Sequence, residues 1–141
     1  MKVYDSSKVS VTLGPISVSS GRAKGPFVKI SNEADDYSDD AGADGEVVRW
    51  ANKDDRATVT LILMASSESN QALSALRIAD KIAPNGAGIV PIMIKDGNGD
   101  SLFTAKDCWI AKAPDAEYGQ EPGTREWKLR CANLIRNDAG M

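Results

Sequence analysis

Ala57-Thr58-Val59-Thr60-Leu61-Ile62-Leu63-Met64-Ala65, followed by Ser66-Ser67-Glu68-Ser69 and then by Asn70 to Ala83, reads as one strand running into one helix. The first part is rich in β-branched and large apolar residues, which predicts a strand with Val59, Leu61 and Leu63 on one face. On the other face Thr58 and Thr60 suit water, whereas Ile62 and Met64 need a cover, and the helix that follows is expected to supply it. Ser66 to Ser69 hold several N-cap candidates and an acid suited to a first helical turn. From there the helical period takes over. Asn70, Ser74, Arg77 and Lys81 make a polar stripe, with Ala72, Ala75, Leu76, Ala79, Ile82 and Ala83 opposite. Pro84-Asn85-Gly86 ends the helix, so one helix over about residues 69–83 is expected to lie on a β-structure.

The rest of the chain supplies the strands. Val9-Ser10-Val11-Thr12-Leu13 and Ile16-Ser17-Val18-Ser19 alternate on either side of a Gly14-Pro15 corner, and Phe27 to Ser31 is a further short strand after a basic turn at Ser20 to Pro26. Beyond the helix, Ile89 to Ile94 is a strand whose Pro91 favours an edge or a bulge. A turn at Lys95 to Asp100 then leads into a return strand at Ser101 to Ala105. Cys108 to Lys112 and Glu126 to Ala132 are two more strands. In the last, Glu126, Lys128 and Arg130 alternate with Trp127, Leu129 and Cys131, so one face is charged and the other buried. About seven strands and one helix favour an antiparallel sandwich or barrel with the helix packed on it.

Between these elements, residues 32–55 form a long loop that carries an acidic run, Glu33, Asp35, Asp36, Asp39, Asp40, Asp44 and Glu46, and then Val47-Val48-Arg49-Trp50. Such a run is ordinarily a solvated loop, but a connection of this length inside a compact domain is usually functional or ordered by a partner. Trp50 is then either a core residue or an anchor against a neighbouring subunit.

At 141 residues the chain makes a single domain large enough to fold without metal or disulfide, burying roughly 70% of its unfolded surface. It has no apolar run of about 18 residues and no signal-peptide core at Met1 to Asp5, so it is expected to be made and kept in a cytosol. Cys108 and Cys131 lack metal-ligand spacing and read as reduced core thiols. A net charge of −3 argues against a phosphate-binding protein. Histidine is absent, which removes the commonest general base, the usual triads and most zinc sites, so no catalytic residue and no cofactor is expected. Asp96, Asn98 and Asp100, with Asp107 at the twelfth position, imitate a calcium loop. Ser101 stands where the sharp turn needs glycine and the flanks are strands, so a hairpin turn is the better reading. Gly86-Ala87-Gly88 leaves a helix where a phosphate loop would enter one.

Taken together, Gly14-Pro15, Gly42-Ala43-Asp44-Gly45-Glu46 ahead of Thr58 to Leu61, Ser66 to Asn70 with Leu73 to Leu76, and the Pro91 to Asp100 hairpin form an ordered series. It continues in Cys108 to Pro114 and Gly123 to Leu129. In this order and spacing the chain resembles the short, single-domain tail tube proteins of contractile-tailed bacteriophages. The resemblance implies a non-enzymatic virion protein, a β-sandwich with one flanking helix. Six copies would form a ring around a continuous inner barrel, and rings would stack inside a contractile sheath to make the channel for DNA. The implied partners are other copies, the sheath, baseplate or tail initiation proteins, a tail terminator, a tape measure protein and passing DNA, with no membrane and with assembly in the host cytoplasm. Asp35, Asp36, Tyr37, Asp39, Asp40 and Trp50 become candidates for the contact between rings. Asp44, Glu46, Asp54 and Asp55 become candidate acids facing the channel or the loops at its rim, where they would repel phosphates. The chain ends, Met1 to Lys8 and Leu134 to Met141, become candidate flexible arms onto neighbours. A tube from a related injection device, or a monomeric binding module using Asp96 to Asp107, are the alternatives.

Overall fold

A computed structural model describes residues 1–140. In chain order the strands are β1 (Val9–Leu13), β2 (Ile16–Ser17), β3 (Val28–Asn32), β4 (Tyr37–Ala41), β5 (Val47–Ala51) and β6 (Ala57–Met64), then helix α1 (Ser69–Ile82). After the helix come β7 (Val90–Asp96), β8 (Ser101–Lys112), β9 (Thr124–Cys131) and β10 (Ile135–Asn137). One antiparallel sheet runs β2-β1-β7-β8-β9-β6-β3, with β10 also on β8, and β4-β5 form a separate two-stranded ribbon. The architecture is therefore mainly β with one packed helix, as the pattern of the chain predicts.

The strand at 57–64 lies where the sequence puts it, and Val59, Leu61 and Leu63 are buried together with Ala57. Around this row the sheet curls, so that Val11, Leu13, Ile92, Ile94, Phe103, Trp127 and Leu129 meet it in one core. The helix does not cover the other face. It packs on β2 and β8 through Leu73 and Leu76, Met64 stays 43% exposed, and Ile62 is half-buried beside the segment that leads into β3. There the Ala23 N–H donates to the Ile62 carbonyl and the Ile62 N–H to the Phe27 carbonyl. The phase of the helix also differs from expectation: Ser69 and Leu73 are its buried residues, whereas Ala75, Ala79 and Ile82 face outward. Burying a leucine gains more than burying an alanine, so Leu73 sets the rotation. The start of the helix is tied down by Ser67, whose hydroxyl donates to the Ser20 carbonyl at 2.7 Å. Gly21 fits against it, with φ of +67° and space so tight that a Cβ would meet Ser67 at 2.3 Å.

Two expected strands, Ser101 to Ala105 and Cys108 to Lys112, are one strand of 12 residues. Lys106-Asp107 reads as a break but is absorbed where the register against β7 shifts between Val90 and Ile92. Pro91 sits at that shift, so the bulge forms although β7 is an interior strand. The hairpin turn between β7 and β8 also forms. Its Asp96 carboxylate accepts from the Asn98 backbone N–H and side-chain amide, both at 2.9 Å, and Asn98 in turn holds Asp5 through both backbone groups.

Both chain ends are drawn onto the sheet. Beyond Asp5, Ser6–Lys8 make a single 3-10 turn, and the Lys8 carbonyl accepts from the Gly97 N–H. At the other end Leu134 is buried and β10 pairs with β8. The Ser101 hydroxyl accepts from the Ala139 N–H and donates to the Gly140 carbonyl. Cys108 and Cys131 are free and fully buried.

Candidate functional site

Where an irregular loop is expected at residues 32–55, the chain folds into a ribbon. Tyr37 pairs with Ala51, Ser38 with Trp50, Asp39 with Arg49, Asp40 with Val48 and Ala41 with Val47. The tip is a tight turn closed by the Gly42 N–H on the Glu46 carbonyl at 2.8 Å, with Gly45 at φ +87°. An Asp44 carboxylate oxygen accepts from the Glu46 N–H at 3.1 Å. At the base, the Asn52 side-chain amide donates to the Asp35 carbonyl at 2.7 Å and to the Ser38 hydroxyl at 2.9 Å. Asp35 thus has a structural use at the ribbon's root.

Because directly opposed residues share a face, Tyr37, Asp39, Ala41, Val47, Arg49 and Ala51 make one side of the ribbon and Ser38, Asp40, Val48 and Trp50 the other. The Arg49 guanidinium stacks on the Tyr37 ring at 4.2 Å. Apart from half-buried Ser38, every ribbon residue is exposed. Trp50 at 48% exposure is therefore no core residue, and Val47, Val48 and Tyr37 are exposed beside it. A lone two-stranded hairpin is marginal in water, and this one presents apolar side chains on both faces.

The candidate acids separate into two places. Asp36, Asp39 and Asp40 lie along the ribbon with Tyr37 and Trp50, and Asp44 and Glu46 form its tip. Asp54 and Asp55 lie in the connection from the ribbon into β6. There the Arg56 guanidinium donates to both Asp54 oxygens at 2.8 Å, and these hydrogen bonds hold the Asp54 carboxyl down to about 2. The Asp55 carbonyl accepts from the Leu134 N–H.

A second feature was not legible in the sequence. β7 leaves β8 at the Val90–Cys108 pair, and from there to Lys112 the strand pairs only with β9. The distal half of β8, with β9, β6 and β3, makes a four-stranded leaf. Among the described residues no further strand pairs with either of its sides, Trp109–Lys112 at one end and Val28–Asn32 at the other. The Glu33 N–H reaches the Arg56 carbonyl and the Phe27 carbonyl receives the Ile62 N–H. The antiparallel alternation therefore aims the N–H groups of Lys29 and Ser31 at β6, and those of Val28, Ile30 and Asn32 outward. Beside this edge a cavity of about 620 Å³ opens between β3 and the opposite part of the sheet, lined by Val28, Ile30, Ile94, Phe103, Phe27 and Arg22. The outward face of the leaf mixes Lys29, Lys112, Lys128 and Arg130 with Glu126 and with Glu33, which accepts from the Thr58 hydroxyl and lies 3.8 Å from Arg130.

Two strand edges without a partner among the described residues and an exposed ribbon are the candidate sites. The family model described as bacteriophage PhiTE tail tube protein matches residues 4–137. The chain belongs to this phage tail tube family. It is 29% identical over 120 residues to Structural protein ORF10 of Pseudomonas phage KPP10, which covers 85% of the chain and 69% of that protein. Its fold is shared with the tube-terminating cap of the anti-feeding prophage at a TM-score of 0.60 and 13% identity, covering 99% of this chain and 93% of the other. It is also shared with a chain of the PVC sheath–tube complex, an extracellular contractile injection system in its extended state, at 0.59 and 14%, covering 94% and 90%. A chain of a native gene transfer agent particle matches at 0.62 and 9%, covering 96% and 100%. This tail tube protein is thus a structural component of a phage tail, with a fold shared by chains of a tube-terminating cap and of a contractile sheath–tube complex.

Proposed function

We propose that the subunit assembles by two different self-contacts, one closing a ring and one stacking rings into a tube. In the ring, the free edge of β3 of one copy meets the Trp109–Lys112 edge of the next. The carrying observation is the leaf itself: β8, β9, β6 and β3 alternate in direction, so identical copies joined edge to edge continue the antiparallel pattern at every junction. A rotation that closes gives a ring, here taken as six-membered by family resemblance, with the leaves joined into a continuous inner barrel. The ribbon then reaches the adjacent ring, with Trp50 as its apolar anchor and Asp35, Asp36, Tyr37, Asp39 and Asp40 around it.

In the tube the outward face of the leaf lines a channel through which DNA passes. On this face Glu126 and Glu33 accompany the cations Lys29, Lys112, Lys128 and Arg130. Asp54 and Asp55 at the leaf's entrance and Asp44 and Glu46 at the ribbon tip place negative charge along the path, which keeps phosphates from being held. The role is non-enzymatic. A contractile sheath outside, a tail initiation complex and a terminator at the ends, and a tape measure protein within complete the set of partners, with assembly in the host cytoplasm. Negative-stain electron microscopy across a concentration series tests the reading, with a tail initiation complex added as a nucleus. Hollow tubes or six-fold rings are expected, and an unassembled monomer in the presence of the nucleus would overturn it. Ile30→Pro sharpens the test, because it removes an outward N–H while leaving the bonds to β6. It should abolish rings in a protein that still melts cooperatively.

A further inference from the structure

The pair Cys108 and Cys131 has no part in either contact. The two residues stand directly opposite each other in β8 and β9. The next pair along, Asp107 and Ala132, is hydrogen-bonded, since the Ala132 N–H donates to the Asp107 carbonyl at 3.0 Å. Antiparallel pairs alternate, so Cys108 and Cys131 occupy a non-hydrogen-bonded position, where Cα atoms lie about 4.5 Å apart and side chains are closest. That separation falls inside the range of about 4.4–6.8 Å that a disulfide spans without backbone movement. Both thiols are free and buried.

We propose that Cys108 and Cys131 form a latent intramolecular disulfide, open in the reducing compartment where the subunit is made and closed by a low-molecular-weight disulfide once the particle is outside it. The chemistry is two successive exchanges. The Cys131 sulfur loses its proton to solvent and attacks one sulfur of the external disulfide, releasing one small thiolate. The Cys108 sulfur, deprotonated in turn, attacks the Cys131 sulfur of the mixed disulfide and releases the second. Two protein thiols are oxidised and one external disulfide becomes two thiols. The Cys131 sulfur beside it, toward which the Cys108 S–H is directed, and burial push the Cys108 thiol up, so the folded sheet is protected and closure needs a local opening of β9 from β8. The bridge spans the connection between β8 and β9, shortening the free chain of the unfolded state, and it holds together the strands where β8 passes from the outer sheet into the leaf.

The test uses the full-length protein, incubated with oxidised glutathione at a temperature a few degrees below its melting point and then acid-quenched. Thiols are counted in denaturant and the intact mass is measured. The expected product has no free thiol, a mass lower by two hydrogens, and a melting midpoint raised by about 10 °C, all reversed by a dithiol reductant. Two intact thiols after prolonged incubation, a stable adduct on one cysteine, or an oxidised form that melts lower than the reduced one would each overturn the proposal. Cys131→Ala should remove both the mass change and the stabilisation. The wild-type thiol count decides the matter even if that variant folds poorly, and none of these readouts depends on whether tubes form.

Discussion

The β8–β9 pair and the β4–β5 ribbon are both antiparallel, and differ in what lies on their faces. β9 alternates charged residues with Trp127, Leu129 and Cys131, and the chain's own core covers the apolar row. The ribbon alternates too, but Val47, Val48, Tyr37 and Trp50 have no cover of their own. The same local geometry is therefore finished within the chain in one case and left exposed in the other, where the proposed assembly would cover it.

The largest effect comes from breaking the self-covered side. Trp127→Ala removes a buried ring whose Nε1 donates to the Asn70 side chain at 2.9 Å, and should cost about 3–5 kcal/mol in a denaturant titration, enough to leave much of the chain unfolded. Trp50→Ala should leave the midpoint of the same titration unchanged and raise the concentration needed for stacking by roughly 30-fold or more, as for a hot-spot loss of about 2 kcal/mol. A Trp50→Ala protein that polymerises like wild type would show that the ribbon is covered by something other than another ring. Arg49→Ala is expected to cost only about 0.5–1 kcal/mol, by releasing the Tyr37 ring, and to be read in hydrogen exchange at the ribbon, with the core protected as before.

The smallest effect concerns acid. Asp54 has a folded value of about 2, below its unfolded one near 4, so its contribution is present above pH about 4 and is lost as pH falls toward 2. Asp54→Asn should flatten the acid limb of stability in that window and leave neutral pH nearly untouched, since the ion pair with Arg56 is solvent-exposed.

The parts legible in the sequence were those with large residues in a clear period: β6, the alternating β9, the buried thiols and the bulge at Pro91. The ribbon was missed because Tyr37-Ser38-Asp39-Asp40-Ala41 is dominated by acids of poor strand propensity, so that what makes it a strand is its pairing with Val47 to Ala51. The helix was found but wrongly rotated, because alanines contribute little to the choice of buried face and Leu73 outweighs them. The structure brings Tyr37, Asp39, Asp40 and Trp50 together on the ribbon, whereas the edge at Trp109–Lys112 had no local signal. It exists because β7 ends early, a fact about a different strand.

That early ending has a mechanical meaning. β8 is one covalent rod, gripped by β7 and β10 over its first part and by β9 over its last. A tug on the outer end of the rod along its axis is shared at once among many parallel hydrogen bonds, which must slide together and cannot unzip singly. The subunit thereby resists a pull along this rod better than one across it.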